Sequence, residues 1–141
     1  MEIKRRLVAG GVIRVEDIRR GEVYQVNVTP KHAVGSEQHH DKPTPWLIVS
    51  ADVVSRRFPI VLAAPLTSQV ANHEKFREAR IHLPLDSWVK SKAMNHESLV
   101  LTEQIRVLSH ERLVKGPIAT LTDSAMAAVE AGLAYVLGIP T

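Results

Sequence analysis

One short stretch gathers most of the groups from which acid–base chemistry is made. Between two apolar runs the chain reads Gly35-Ser36-Glu37-Gln38-His39-His40-Asp41-Lys42-Pro43, with two carboxylates, two imidazoles and an ammonium in nine positions. A general acid and a general base need such groups within reach of one substrate. Three readings stand side by side: an idle solvated loop, a metal site from His39, His40 and Asp41, or an active-site loop. Neighbours on an extended chain point to opposite sides, which sets His39 and His40 against sharing one ion. A second candidate is Ala64-Pro65-Leu66-Thr67-Ser68-Gln69. Thr67, Ser68 and Gln69 offer three uncharged hydrogen-bonding side chains that suit a phosphate or a base edge. The plainer alternative is a polar turn closing an apolar strand. His32, His73, His82, His96 and His110 show no spacing that suggests a site and are expected on the surface.

These residues need elements to hold them. Glu22–Val28 is rich in β-formers and stops at Thr29-Pro30, which predicts a strand. The polar loop over 31–45 follows, and a loop of that length in a compact domain usually serves function. Trp46–Val49 and Ile60–Leu66 are apolar runs too short for buried helices and read as central strands, with a polar turn around Arg56-Arg57 between them. Arg80-Ile81-His82-Leu83 alternates and ends at Pro84, a further strand. Ser98–Leu101 and Ile105–Leu108 flank Thr102-Glu103-Gln104, giving another strand or a strand with a bulge. The period then changes. Met126, Val129, Leu133, Val136 and Leu137 recur at helical spacing, Thr122 can cap the start, and Gly138 with Pro140 makes the stop. Several short strands closed by one helix predict a mainly β protein with a small antiparallel, barrel-like sheet.

Composition narrows the chemistry further. At 141 residues with 45% hydrophobic content, the chain is one domain able to bury a core without staples. It has no cysteine, which excludes disulfide scaffolds, thiolate metal sites and thiol catalysis. No apolar run approaches a membrane span, and Leu7–Ile13 lacks the cleavage site of a secretory leader, so a cytoplasmic protein is expected. Residues 1–20 hold six Lys/Arg against three acids, so the formal net charge of +3 sits there. A pI near 9.4 suits a polyanionic partner. A solubilising basic tail would look the same. Aromatics are only 4%, so Val, Leu, Ile and Ala must build the core; Trp46 and Trp88 are either core anchors or stacking platforms for bases.

Five ordered pieces resemble the MazF/PemK toxins. They are Arg20-Gly21-Glu22-Val23-Tyr24, Gly35-Ser36-Glu37-Gln38 before a Pro-bounded strand, Pro65-Leu66-Thr67-Ser68-Gln69, Glu103-Gln104-Ile105-Arg106, and the Leu-Gly that closes the helix. The resemblance spans about residues 19 to 139. It divides the chain into a basic N-terminal extension, 1–18, and a toxin-like domain, 19–141. It implies an SH3-like barrel with short helices, a homodimer, and a cytoplasmic toxin neutralised by a cognate antitoxin. It further implies a cofactor-free, metal-independent endoribonuclease acting on single-stranded RNA. The 2′-hydroxyl would attack the adjacent phosphate, leaving a 2′,3′-cyclic phosphate and a 5′-hydroxyl. Thr67 matches the family threonine and Glu37 the glutamate of the Gly-Ser-Glu-Gln turn. The family arginine before the strand-opening proline is missing. The loop is two residues longer, and alignment on Pro43 puts Lys42 in its place, while alignment on Pro45 puts Thr44 there. Lys42 would then stabilise the phosphorane, His39 or His40 would exchange protons, and Gln38, Ser68 and Gln69 would contact nucleotides. A catalytically impaired RNA- or antitoxin-binding relative, or a gyrase inhibitor of the CcdB kind, are the alternatives.

Overall fold

The structure, a computed structural model, describes residues 5–8, 11–28, 42–71, 74–91 and 94–141. Within them lie ten strands and two α-helices. A hairpin of β1 (Arg5–Val8) and β2 (Gly11–Arg14) precedes an eight-stranded sheet. Its strands are β3 (Glu22–Val26), β4 (Thr44–Ile48), β5 (Ile60–Thr67), β6 (Arg80–Leu83), β7 (Trp88–Ser91), β8 (Ser98–Leu101), β9 (Arg106–Ser109) and β10 (Leu113–Leu121). They run in the order β6-β8-β5-β4-β3-β10-β7, with β9 beside β5, and every ladder is antiparallel.

The expected antiparallel β fold with a C-terminal helix is what the chain forms. The sheet is not a closed barrel: β6 and β7 end the path, and no ladder among the described residues joins them. The central strand β5 changes partner along its length. Ile60–Ala63 pair with β9, while Leu66 and Thr67 pair with β8. Pro65 falls between the β9 and β8 ladders and stands opposite Trp46 of β4.

Each face of the sheet carries a core. Directly opposed residues share a face, so Val23, Leu47 and Ala64 line one side, and Tyr24 and Trp46 the other. The first face joins Leu66, Leu83, Val100 and Leu121 under α2 (Asp123–Leu137), whose Val129 enters that core. The helix crosses close to β6. A Cβ on Gly132 would lie 2.9 Å from Ile81 Cδ1. The second face packs Ile13 and Ile18 against Tyr24, Val26, Trp46, Val61, Leu108 and Leu113. Trp46 is therefore a core anchor, and half-buried Trp88 packs against the first core.

Helix α2 has the expected ends. The Ala125 N–H donates to Thr122 Oγ1 at 3.2 Å, and Gly138 takes the left-handed stop at φ +69.

Four features depart from the sequence expectation. The polar turn at Arg56-Arg57 is the end of a short helix, α1 (Asp52–Arg57). Its exposed Val53 gives it no apolar stripe to detect; buried Ser50 and Ser55 hydroxyls 2.8 Å apart fix it, with Leu62 N–H donating to Ser50 Oγ. The longest strand, β10, carries Gly116-Pro117, a pair that reads as a break. Gly116 adopts φ +147 beside the Tyr24 ring, where a Cβ would meet Cδ2 at 2.6 Å, and the register with β3 shifts there. β7 departs as well, because Trp-Val-Lys-Ser is too short to show a period. His110, expected on the surface, is 2% exposed. His32 and His73 lie outside the described residues.

Candidate active site

The sheet register gathers part of the sequence-predicted site at one end of two neighbouring strands. Thr67 ends β5, and Ser68 and Gln69 follow it, exposed. Lys42, also exposed, precedes β4. The β4–β5 ladder pairs Trp46 with Pro65 and Leu47 with Ala64. Continued outward, that register sets Thr44 level with Thr67 and Lys42 level with Gln69. Glu37, Gln38, His39 and His40 lie outside the described residues.

Local hydrogen bonds give the two threonines different capacities. The Gln69 N–H donates to Thr67 Oγ1 at 3.1 Å. A hydroxyl has one proton to give and two lone pairs, so this turn occupies an acceptor site and leaves the Thr67 O–H able to donate outward. Thr44 Oγ1 accepts from the indole N–H of Trp46 at 3.0 Å, which ties it to the second core.

Polar groups continue across the same face. Thr67 pairs with Leu99, and Leu99 with His82 on β6, so His82 lies two strands from Thr67, roughly 10 Å at ordinary strand spacing. His82 Nε2 is 2.7 Å from Glu97 Oε1. Two residues back on the same face, Arg80 holds Glu103 Oε2 through Nε and Nη2 at 2.8 and 2.7 Å. Arg80 and His82 were not singled out from sequence. Their signal was the alternation Arg80-Ile81-His82-Leu83, which turns the polar pair away from the helix-covered face.

The Arg20-Gly21-Glu22-Val23-Tyr24 stretch serves structure. The Arg20 N–H donates to Asp52 Oδ1 at 2.8 Å, its Nε to Val49 O at 3.0 Å, and its Nη1 to Glu130 Oε2 at 2.7 Å. One residue thereby ties the start of β3 to α1, to the end of β4 and to α2. Glu22 Oε1 accepts the Arg19 N–H at 2.6 Å and the Tyr24 hydroxyl at 3.2 Å. Burial raises the Glu22 carboxyl against those hydrogen bonds, and burial with the nearby Glu22 charge raises the Tyr24 phenol.

Residues 19–137 match the family described as the PemK-like, MazF-like toxin of type II toxin–antitoxin systems. The chain belongs to this family. Solved structures share its fold. An endoribonuclease from a Mycobacterial species is 23% identical, with a TM-score of 0.56 over 88% of this chain and 94% of that one. MazF from Deinococcus radiodurans is 19% identical, with a TM-score of 0.62 over 86% and 96%. A Mycobacterial endoribonuclease bound to its cognate antitoxin is 22% identical, with a TM-score of 0.57 over 88% and 96%. In this member of the MazF/PemK family, the Pro65–Gln69 motif forms the end of the central strand and its turn. The Glu103–Arg106 motif crosses from a 3-10 turn into β9, where Glu103 is committed to Arg80.

Proposed function

We propose that this MazF/PemK chain is the toxin of a toxin–antitoxin pair and acts as a metal-independent endoribonuclease on single-stranded RNA. The observation that carries this reading is the Thr67 turn: a backbone donor fills one acceptor site of its hydroxyl, beside the strand opening that bears Lys42. A neutral donor near a cation suits a phosphoryl oxygen.

In the proposed reaction the ribose 2′-oxygen forms a bond to the adjacent phosphorus and the P–O5′ bond breaks. The 2′-proton passes to a base, Glu37 or one of His39 and His40, and a proton returns to the leaving 5′-oxygen. Charge accumulates on the equatorial oxygens of the phosphorane. Lys42 stabilises it as a cation and Thr67 as a hydrogen-bond donor, both stronger in the transition state than before it. Gln38, Ser68 and Gln69 contact the flanking nucleotides. The products are a 2′,3′-cyclic phosphate and a 5′-hydroxyl.

The same reading takes the working form as a homodimer that lays RNA along a shared groove in the cytoplasm, with an antitoxin protein as its inhibitor. Two Mycobacterial and Deinococcus radiodurans relatives were solved with their antitoxins, which supports that partner. No helix among the described residues is long and apolar enough to cross a membrane. Residues 1–18 form the basic extension of the toxin unit.

Because the nucleophile is the 2′-hydroxyl, RNA should be cut, while DNA and 2′-O-methyl RNA of the same sequence stay intact. Gel analysis of the three end-labelled oligonucleotides checks this. Cleavage of the DNA or of the 2′-O-methyl strand contradicts the mechanism.

A further inference from the structure

We propose that Phe76 is a stacking platform for an unpaired RNA base, with Lys75 holding the phosphate beside that base and Arg80, anchored by Glu103, set against the ring. The proposal rests on the ribonuclease reading and adds a subsite to it.

Phe76 is 55% exposed, and its backbone stands at φ +80. Bulky side chains avoid that region. The conformation is held by the Ala79 and Arg80 N–H groups, which donate to Phe76 O at 3.0 and 2.8 Å. Folding thus fixes an apolar ring in water on a disfavoured backbone, a combination that core packing does not explain.

The ring's surroundings are cationic. Arg80 Cζ lies 5.0 Å from its centroid and Lys75 Nζ 5.4 Å, both within cation–π range. The two cations are held differently. Arg80 is anchored by Glu103, whereas Lys75 has no ion pair among the described residues. An arriving base can therefore stack on the ring while Lys75 turns to a phosphate without breaking a salt bridge. Single-stranded nucleic acid is bound by this pairing of aromatic faces with positive charge.

Position agrees with the chemistry. The chain from Thr67 leads through Phe76 into β6, and Arg80 and His82 share the sheet face that carries Thr67. Phe58 and Tyr135 are also exposed, but neither carries a cation on its ring among the described residues. Stacking tolerates any base, so Phe76 supplies affinity beside the cut and leaves sequence reading to other groups.

The test is fluorescence anisotropy of the full chain with a labelled 2′-O-methyl oligoribonucleotide, alongside cleavage of the matching RNA. Phe76→Ala and Phe76→Leu should each weaken binding about tenfold or more, while Phe76→Trp and Phe76→Tyr keep it. Phe58→Ala, equally exposed, should bind like wild type. Lys75→Ala should flatten the salt dependence of affinity by somewhat under one unit of log–log slope. If wild type cuts RNA and Phe76→Leu binds like wild type, the platform is wrong and the ribonuclease reading stands. If the Phe76 variants weaken only antitoxin capture, the face belongs to a protein and the proposal is overturned. If wild type neither binds nor cuts RNA, both readings fall.

Discussion

Lys42→Ala should lower the single-turnover rate of RNA cleavage by about 10²- to 10³-fold, the usual loss when one preorganised group facing developing charge is removed. Lys42 stands exposed two residues ahead of β4, the strand beside the one that Thr67 ends. Removing an exposed side chain there should leave the folded state intact, so the loss belongs to chemistry. Lys42→Arg should retain activity, because guanidinium keeps the charge and adds a planar fork that matches phosphate. Thr44→Ala separates the two alignments of the loop. The Thr44 hydroxyl is engaged by Trp46, so its loss should cost stability more than rate. If Thr44→Ala abolishes cleavage while Lys42→Ala cuts normally, Lys42 has been assigned the wrong role.

Thr67→Ala should slow cleavage by about 10²-fold in kcat, with a smaller effect on KM, if the hydroxyl donates mainly to the transition state. The variant also deprives the Gln69 N–H of its acceptor, but that N–H is exposed and water can replace the hydroxyl. Its thermal midpoint should stay near wild type. Thr67→Ser restores a donor at the same position and should recover most of the rate. A Thr67→Ala enzyme with full kcat would remove the residue on which the proposed site is built.

Much of this fold was legible wherever local and tertiary preferences agree. Arg80–Leu83 is found as read, because its polar residues alternate with residues buried under α2. The helix is found with its cap at Thr122 and its stop at Gly138, since both ends depend on local backbone chemistry. The second core was not legible. It is assembled from Ile13, Ile18, Tyr24 and Leu113, which no short window brings together. Gly116-Pro117 hides β10, because a positive-φ glycine followed by proline reads as a break, while here Gly116 packs against the Tyr24 ring.

The site divides in the same way. Thr67, Ser68 and Gln69 stand out as polar residues at the end of an apolar strand. Phe76 does not, since a lone phenylalanine in a charged stretch gives no sign of its backbone or of the cations around it. Trp46 carries the opposite ambiguity, and its burial among Tyr24, Val26 and Val61 makes it core.

In the proposed reaction the 2′-hydroxyl of the substrate, rather than a metal-activated water, attacks the phosphorus. The most direct test is to incubate the full chain with single-stranded RNA in EDTA and determine the chemical ends of the fragments. Cutting should persist in the chelator and leave 2′,3′-cyclic phosphate and 5′-hydroxyl ends. Cleavage that EDTA abolishes, or fragments ending in 3′-hydroxyl, would contradict this mechanism.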